Sequence, residues 1–255
     1  MSPRRIVALC AAALAVSGLA APSASTRAST QVTVYAAASL TNVFPQIDRT
    51  ARYSFGGSNT LAAQIQQGAP ADVFASANTT LPAQLHAKNL CSTPVVFTRN
   101  TLVIVVPKSN PAGINDIFDL TKPGVSIDIA SSAVPIGGYT LTILKNMNLT
   151  SRILDNVVSD ETDVREVLAK VALGEADAGF VYATDAKAAA GKVKVLKVPA
   201  WAQPKVQYGI CVVSSSPNKS EAQAFVKRVM SKAGQAKLRS AGFLPRVKPK
   251  PQAKK

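Results

Sequence analysis

Val34-Tyr-Ala-Ala-Ala-Ser-Leu-Thr41 is a short apolar strand that runs through three alanines into Ser39 and on into a segment with helical potential, 40–47. A serine at a strand-to-helix junction is an N-cap position, and the first backbone N–H groups after it lack partners inside the helix. Such a start offers an anion free N–H groups, a hydroxyl and the positive end of the helix dipole. One junction is uninformative by itself. Several of them, aimed at one place, would define a site.

Outward from this stretch the chain alternates strand and helix. Strands are expected over 32–36, 52–55, 72–76 and the unbroken apolar run 101–106, with helices over 39–47, 59–67 and 80–88. After a loop at 107–111 the pattern restarts. Strands fall at 126–130, 178–182, 193–198 and 206–213, with helices at 137–147 and 163–173. A long helix over 220–240 then ends at Ala241-Gly242, where glycine suits the C-terminal cap. Alternation of this kind implies α/β architecture, with parallel strands covered by helices. Length and rhythm suggest two lobes, 29–104 with 206–245 and 105–205.

The ends read differently. Arg4 and Arg5, the apolar alanine-rich run 6–21 and the small polar run 22–28 form the three parts of a secretory signal peptide over 1–28. Leu9 before Cys10 does not fit a lipidation signal. The mature protein is expected to be exported and soluble, in the periplasm or on the outer face of the cytoplasmic membrane. Export leaves Cys91 and Cys211, which are most simply one disulfide in an oxidising compartment. The formal charge of +15 falls to +12 without the signal arginines, and the Pro/Lys-rich tail 246–255 carries five more positives. That tail reads as a solvated, disordered end. Without aromatic–basic interleaving, nucleic acid is a poor partner.

Four further junctions share the chemistry of the first. Gly56-Gly-Ser-Asn-Thr-Leu61 places Ser58 at a helix start after two glycines. Ala133-Val-Pro-Ile-Gly-Gly-Tyr139 offers no hydroxyl at its turn, so the Ile136 N–H is the donor expected there. Asp163 with Glu166 resembles a capping box and would leave the Val164 N–H free. Tyr182 ends an apolar strand, and strand ends in α/β sheets face the ligand crevice. Each has an ordinary structural reading: a turn, a dipole-compensating cap, a core tyrosine. Together they supply neutral donors, and a buried oxyanion is tolerable only where many donors receive it.

Ala-Ala-Ser-Leu-Thr (37–41), Ser-Asn-Thr-Leu-Ala (58–62), Gly-Ala-Pro-Ala-Asp-Val-Phe (68–74), Val-Pro-Ile-Gly-Gly-Tyr (134–139), Asp-Val-Arg (163–165) and Gly-Phe-Val-Tyr-Ala-Thr-Asp-Ala (179–186) resemble the periplasmic molybdate-binding proteins of ABC transporters. The resemblance covers about residues 31–245, in family order. It implies a type II periplasmic-binding-protein fold, two α/β lobes with mainly parallel sheets closing on a tetrahedral dianion. By analogy, Ser39 and Ser58 donate from the first lobe, and Ile136, Val164 and Tyr182 from the second. Molybdate or tungstate is then held as an oxyanion with no direct metal ligand and no cofactor. A membrane permease is the implied partner, and the protein is expected to be a monomer.

The chain departs from the family pattern in places. The segment between Ser39 and Phe55 is short and interrupted by Pro45, so the first helix is expected to be truncated. Gly57 stands where the family often has serine, and Ile136 is bulkier than usual. No carboxylate is convincingly placed to accept the proton of hydrogen phosphate, which favours fully ionised molybdate, tungstate or sulfate. Sulfate or a small organic acid is therefore an alternative ligand. A serine hydrolase is the alternative from another class. His86 is the lone histidine and reads as a solvated helix residue. Ser216-Pro-Asn-Lys219 matches Ser-x-x-Lys only as a short, common pattern, so catalysis is not expected.

Overall fold

A computed structural model describes residues 31–246. The signal segment expected over 1–28 and residues 247–255 of the tail lie outside the described residues.

The first strand, β1 (Thr33–Ala37), leads through a 3-10 turn, Ala38–Leu40, to the single-turn helix α1 (Phe44–Ile47) and to β2 (Arg52–Gly56). Next come α2 (Ser58–Gln66), β3 (Val73–Ser76), α3 (Thr80–Ala87) and β4 (Val95–Asn100). The chain then builds β5 (Leu102–Pro107), β6 (Ile127–Ala130), α4 (Pro135–Asn146), α5 (Thr150–Leu154) and β7 (Val157–Glu161). It continues with α6 (Val164–Leu173), β8 (Ala178–Tyr182), α7 (Ala183–Ala188) and β9 (Val193–Lys197). It closes with β10 (Val206–Val212), α8 (Lys219–Met230) and α9 (Lys232–Ser240).

Two five-stranded sheets result, in the orders β2-β1-β3-β10-β4 and β7-β6-β8-β5-β9. The chain passes from one to the other at Thr101, between β4 and β5, and returns just before β10. A boundary at 104/105 therefore falls inside β5, whose Leu102 already pairs with Tyr182.

Each sheet is mixed rather than mainly parallel. β1 pairs in parallel with β2 and β3, and β6 with β7 and β8. β10 runs antiparallel to β3 and β4, and β5 antiparallel to β8 and β9. The cause is the crossover. Strands such as β1 and β8 run toward the cleft, whereas β5 and β10 start at the cleft side and must run back. Hydrophobic periodicity carries no sign of direction, so the sequence reading missed this. It also missed β4, α5, β7 and α7.

The helix expected over 220–240 is broken. Ser231 ends α8, and its Oγ accepts from the Gly234 N–H to cap α9. Gly242 ends α9 as expected, with φ at +101°, where only glycine rests without strain.

Most buried side chains form one core that spans both sheets. A smaller cluster packs Leu61, Ile65, Phe74 and Leu85 around Cys91 and Cys211. The disulfide expected between these two cysteines is not formed. The fold does bring them together, but as free, buried thiols. Contact with Cys91 and burial push the Cys211 thiol up, so it stays protonated. The Cys91 thiol donates to the Pro82 carbonyl at 3.5 Å. In this apolar setting the pair acts as small hydrophobes.

Candidate functional site

The five sequence-predicted residues, Ser39, Ser58, Ile136, Val164 and Tyr182, line one small cavity between the lobes. Its volume is about 10 Å³. That suits a small ion; sugar- or nucleotide-sized ligands occupy sites of roughly 300 Å³ or more.

The first lobe supplies two walls. Ser39 sits within the 3-10 turn, not at an N-cap, and its hydroxyl caps nothing. The helix expected over 39–47 is split because Pro45 starts α1 afresh. The contribution of Ser39 is therefore its own hydroxyl, 2.9 Å from the Tyr208 hydroxyl, with no helix dipole behind it. Ser58 is the first residue of α2, capped only by Gly57, which has no side chain to satisfy the opening N–H groups. The Ala77 N–H donates to Ser58 Oγ at 3.1 Å, which leaves the Ser58 proton free for another acceptor.

The second lobe supplies the rest. Pro135 fills the first position of α4, where a missing N–H costs nothing, and Ile136 follows with its N–H at the cavity. Gly137 lets this turn close: a Cβ there would lie 2.1 Å from the Ser131 carbonyl oxygen. At α6 the Asp163 carboxylate accepts from the Arg165 and Glu166 N–H groups. The Val164 N–H is thus left without a side-chain partner among the described residues. Glu166 departs from a strict capping box, since it accepts from the N–H and hydroxyl of Thr162 rather than from residue 163. Tyr182 ends β8 only 1% exposed, and its hydroxyl has no hydrogen-bond partner among the described residues. Burial pushes its pKa well up, so the phenol stays a donor.

Asp163 also lines the cavity, a carboxylate that the sequence reading did not place there. Burial pushes its pKa up, against the pull of the two α6 N–H groups it caps. Its Oδ1 is committed to the helix.

The lobes meet over the cavity. A Cβ on Gly57 would come within 2.3 Å of the Thr162 carbonyl oxygen, so these backbones touch across the cleft. On another rim the Tyr139 hydroxyl donates to the Ala77 carbonyl at 3.4 Å.

The other residues singled out from sequence have structural roles. Ser216 donates to Asp72 at 2.6 Å, and the Lys219 ammonium is bound to the Val213 and Ser214 carbonyls. The His86 Nδ1 lies 2.9 Å from the Cys91 carbonyl oxygen.

Two α/β lobes around a donor-lined cavity are the construction of a ligand-capturing binding protein. The chain belongs to the bacterial extracellular solute-binding proteins, whose family profile matches residues 32–244. It is 36% identical to the molybdate-binding protein ModA of Mycobacterium tuberculosis, over 95% of this chain and 97% of that protein. Among solved structures, the periplasmic molybdate-binding protein of Azotobacter vinelandii superposes with a TM-score of 0.75 at 23% identity, covering 86% of this chain and all of that one. The sulfate-binding protein SubI of M. tuberculosis superposes with a TM-score of 0.74 at 21% identity, covering 85% of this chain and 87% of that one. The fold is common to both structures and does not distinguish their ligands.

Proposed function

We propose that this protein captures molybdate, and tungstate by the same geometry, between its lobes and delivers it to an ABC transporter permease from the outer side of the cytoplasmic membrane. The observation that carries the reading is the buried, unpartnered Tyr182 hydroxyl on a cavity whose other walls present the Ser39 and Ser58 hydroxyls and the Ile136 and Val164 N–H groups. A tetrahedral dianion satisfies all five donors at once. Hydrogen bonds to an ion are worth roughly 1.5–3 kcal/mol each, and none here requires a cationic side chain. The match along nearly the full length of a molybdate-binding relative supports the choice among oxyanions.

The five donors favour a fully ionised ligand over hydrogen phosphate. A protonated ligand oxygen needs an acceptor; Asp163 Oδ1 is occupied by Arg165 and Glu166, while its Oδ2 has no hydrogen-bond partner among the described residues, so phosphate binding reports whether that oxygen serves the site. Calorimetry with molybdate, tungstate, sulfate and phosphate tests this. Tight binding of molybdate and tungstate, weak binding of sulfate and none of phosphate is expected. Saturating molybdate should also raise the melting temperature markedly. Heat only with sulfate would turn the assignment to that ion.

A further inference from the structure

Ser39 is the donor with an unexpected neighbour. Its Oγ lies 2.9 Å from the hydroxyl of Tyr208, a residue fully buried in β10, where the pairing with β4 shifts register between Tyr208 and Gly209. The extra residue at this shift is Phe97 of β4. The Tyr208 hydroxyl also lies 3.4 Å from Asn100 Nδ2, at the end of β4 beside the Thr101 crossover. The same Nδ2 donates to Thr184 Oγ1 of the second lobe at 2.9 Å.

The two bonds made by Asn100 Nδ2 have a fixed direction. Asn100 Oδ1 accepts from the Thr101 N–H at 3.0 Å, which fixes the amide so that Nδ2 faces Thr184 and Tyr208. An amide NH₂ only donates, so the Tyr208 oxygen receives a proton there. Burial holds the Tyr208 phenol protonated, so it has a proton to give, and Ser39 Oγ lies within its reach at 2.9 Å. A serine hydroxyl has one proton. When the Ser39 oxygen accepts from Tyr208, its own proton is free to turn to the cavity that Ser39 lines.

We propose that Tyr208, oriented by Asn100, is a positioning residue that fixes the Ser39 hydroxyl as a donor into the oxyanion cavity. The relay runs from Asn100 N–H to Tyr208 O–H to Ser39 O–H to the ligand, and each bond in such a chain polarises the next. It places the orientation of a binding group at the crossover between the lobes. The inference rests on the oxyanion reading of the cavity.

The test is a double-mutant cycle read by calorimetry with molybdate. Tyr208→Phe keeps the ring and removes the hydroxyl. It should weaken binding about tenfold in the wild-type background, a loss of the size of one hydrogen bond, and less than about twofold in Ser39→Ala, where there is no hydroxyl to orient. Asn100→Ala repeats the cycle without removing either hydroxyl, should show the same collapse, and decides the matter if Tyr208→Phe does not fold. A merely structural role would lower affinity equally in both backgrounds. Equal losses, or no loss in the wild-type background, overturn the proposal. If the wild-type protein itself binds no molybdate, the oxyanion reading fails and the relay fails with it.

Discussion

The Tyr182 hydroxyl is buried with no hydrogen-bond partner among the described residues, and an orphaned buried donor costs roughly 1–3 kcal/mol. Tyr182→Phe removes that burden from the ligand-free protein, which should melt no lower than wild type. The same change deletes a donor to a dianion, so molybdate affinity should fall by about 1.5–3 kcal/mol. Paired melting and calorimetry check both halves, and unchanged affinity would remove Tyr182 from the site. The five cavity residues were legible because each sits at a strand-to-helix junction, where a few neighbours reveal which N–H or hydroxyl is unspent. Tyr208 and Asn100 were not. Tyr208 lies inside a strand, 169 residues from Ser39, and no local pattern announces a bond across that separation. The N-cap role first read for Ser39 failed for a related reason: Pro45 restarts the helix downstream and leaves a 3-10 turn behind.

At the scale of elements, the cavity depends on how closely the α2 and α6 starts approach. Gly57 precedes α2, and a Cβ there would meet the Thr162 carbonyl oxygen at 2.3 Å and Asn59 Oδ1 at 2.9 Å. The glycine that departs from the family's frequent serine is thus what allows backbone contact over the site. Gly57→Ala should leave each lobe intact and obstruct their closure. Overpacking costs of about 1–3 kcal/mol are typical, and the cost here falls on the closed, liganded state. Molybdate affinity should drop accordingly. Small-angle scattering should show a smaller contraction on ligand addition than in wild type; full contraction with undiminished affinity would show that the rim contact does not govern closure. The sequence marked Gly56-Gly57 as a turn permitting close approach to a ligand. That Gly57 instead approaches the other lobe required the fold.

For the whole molecule, the two-lobed α/β plan was readable from the strand–helix rhythm and the family motifs, while strand direction and the mixed sheets were not. Equally hidden was the charge buried in the second lobe. Asp128 on β6 is fully buried, and neither of its carboxylate oxygens has a hydrogen-bond partner among the described residues. Burial, then the charge of Glu161, push its pKa up to about 7, against the pull of Lys170. Lys170 is bound to Glu161 instead. Asp185 is also raised to about 7 by burial, despite Arg165 Nε at 3.0 Å. A carboxyl whose folded pKa lies above its unfolded value near 3.9 holds its proton more tightly when folded. Its contribution to stability is full below about pH 4 and is lost as pH rises through about 7. Wild-type stability should therefore decline between pH 5 and 8. Asp128→Asn keeps the shape and cannot ionise, so it should decline less and gain on wild type by on the order of 1–3 kcal/mol over that interval. Urea unfolding of both proteins at pH 5 and pH 8 measures the difference. Parallel pH dependence would mean that Asp128 is already paired in the folded protein, and that Asp185 or another group carries the slope.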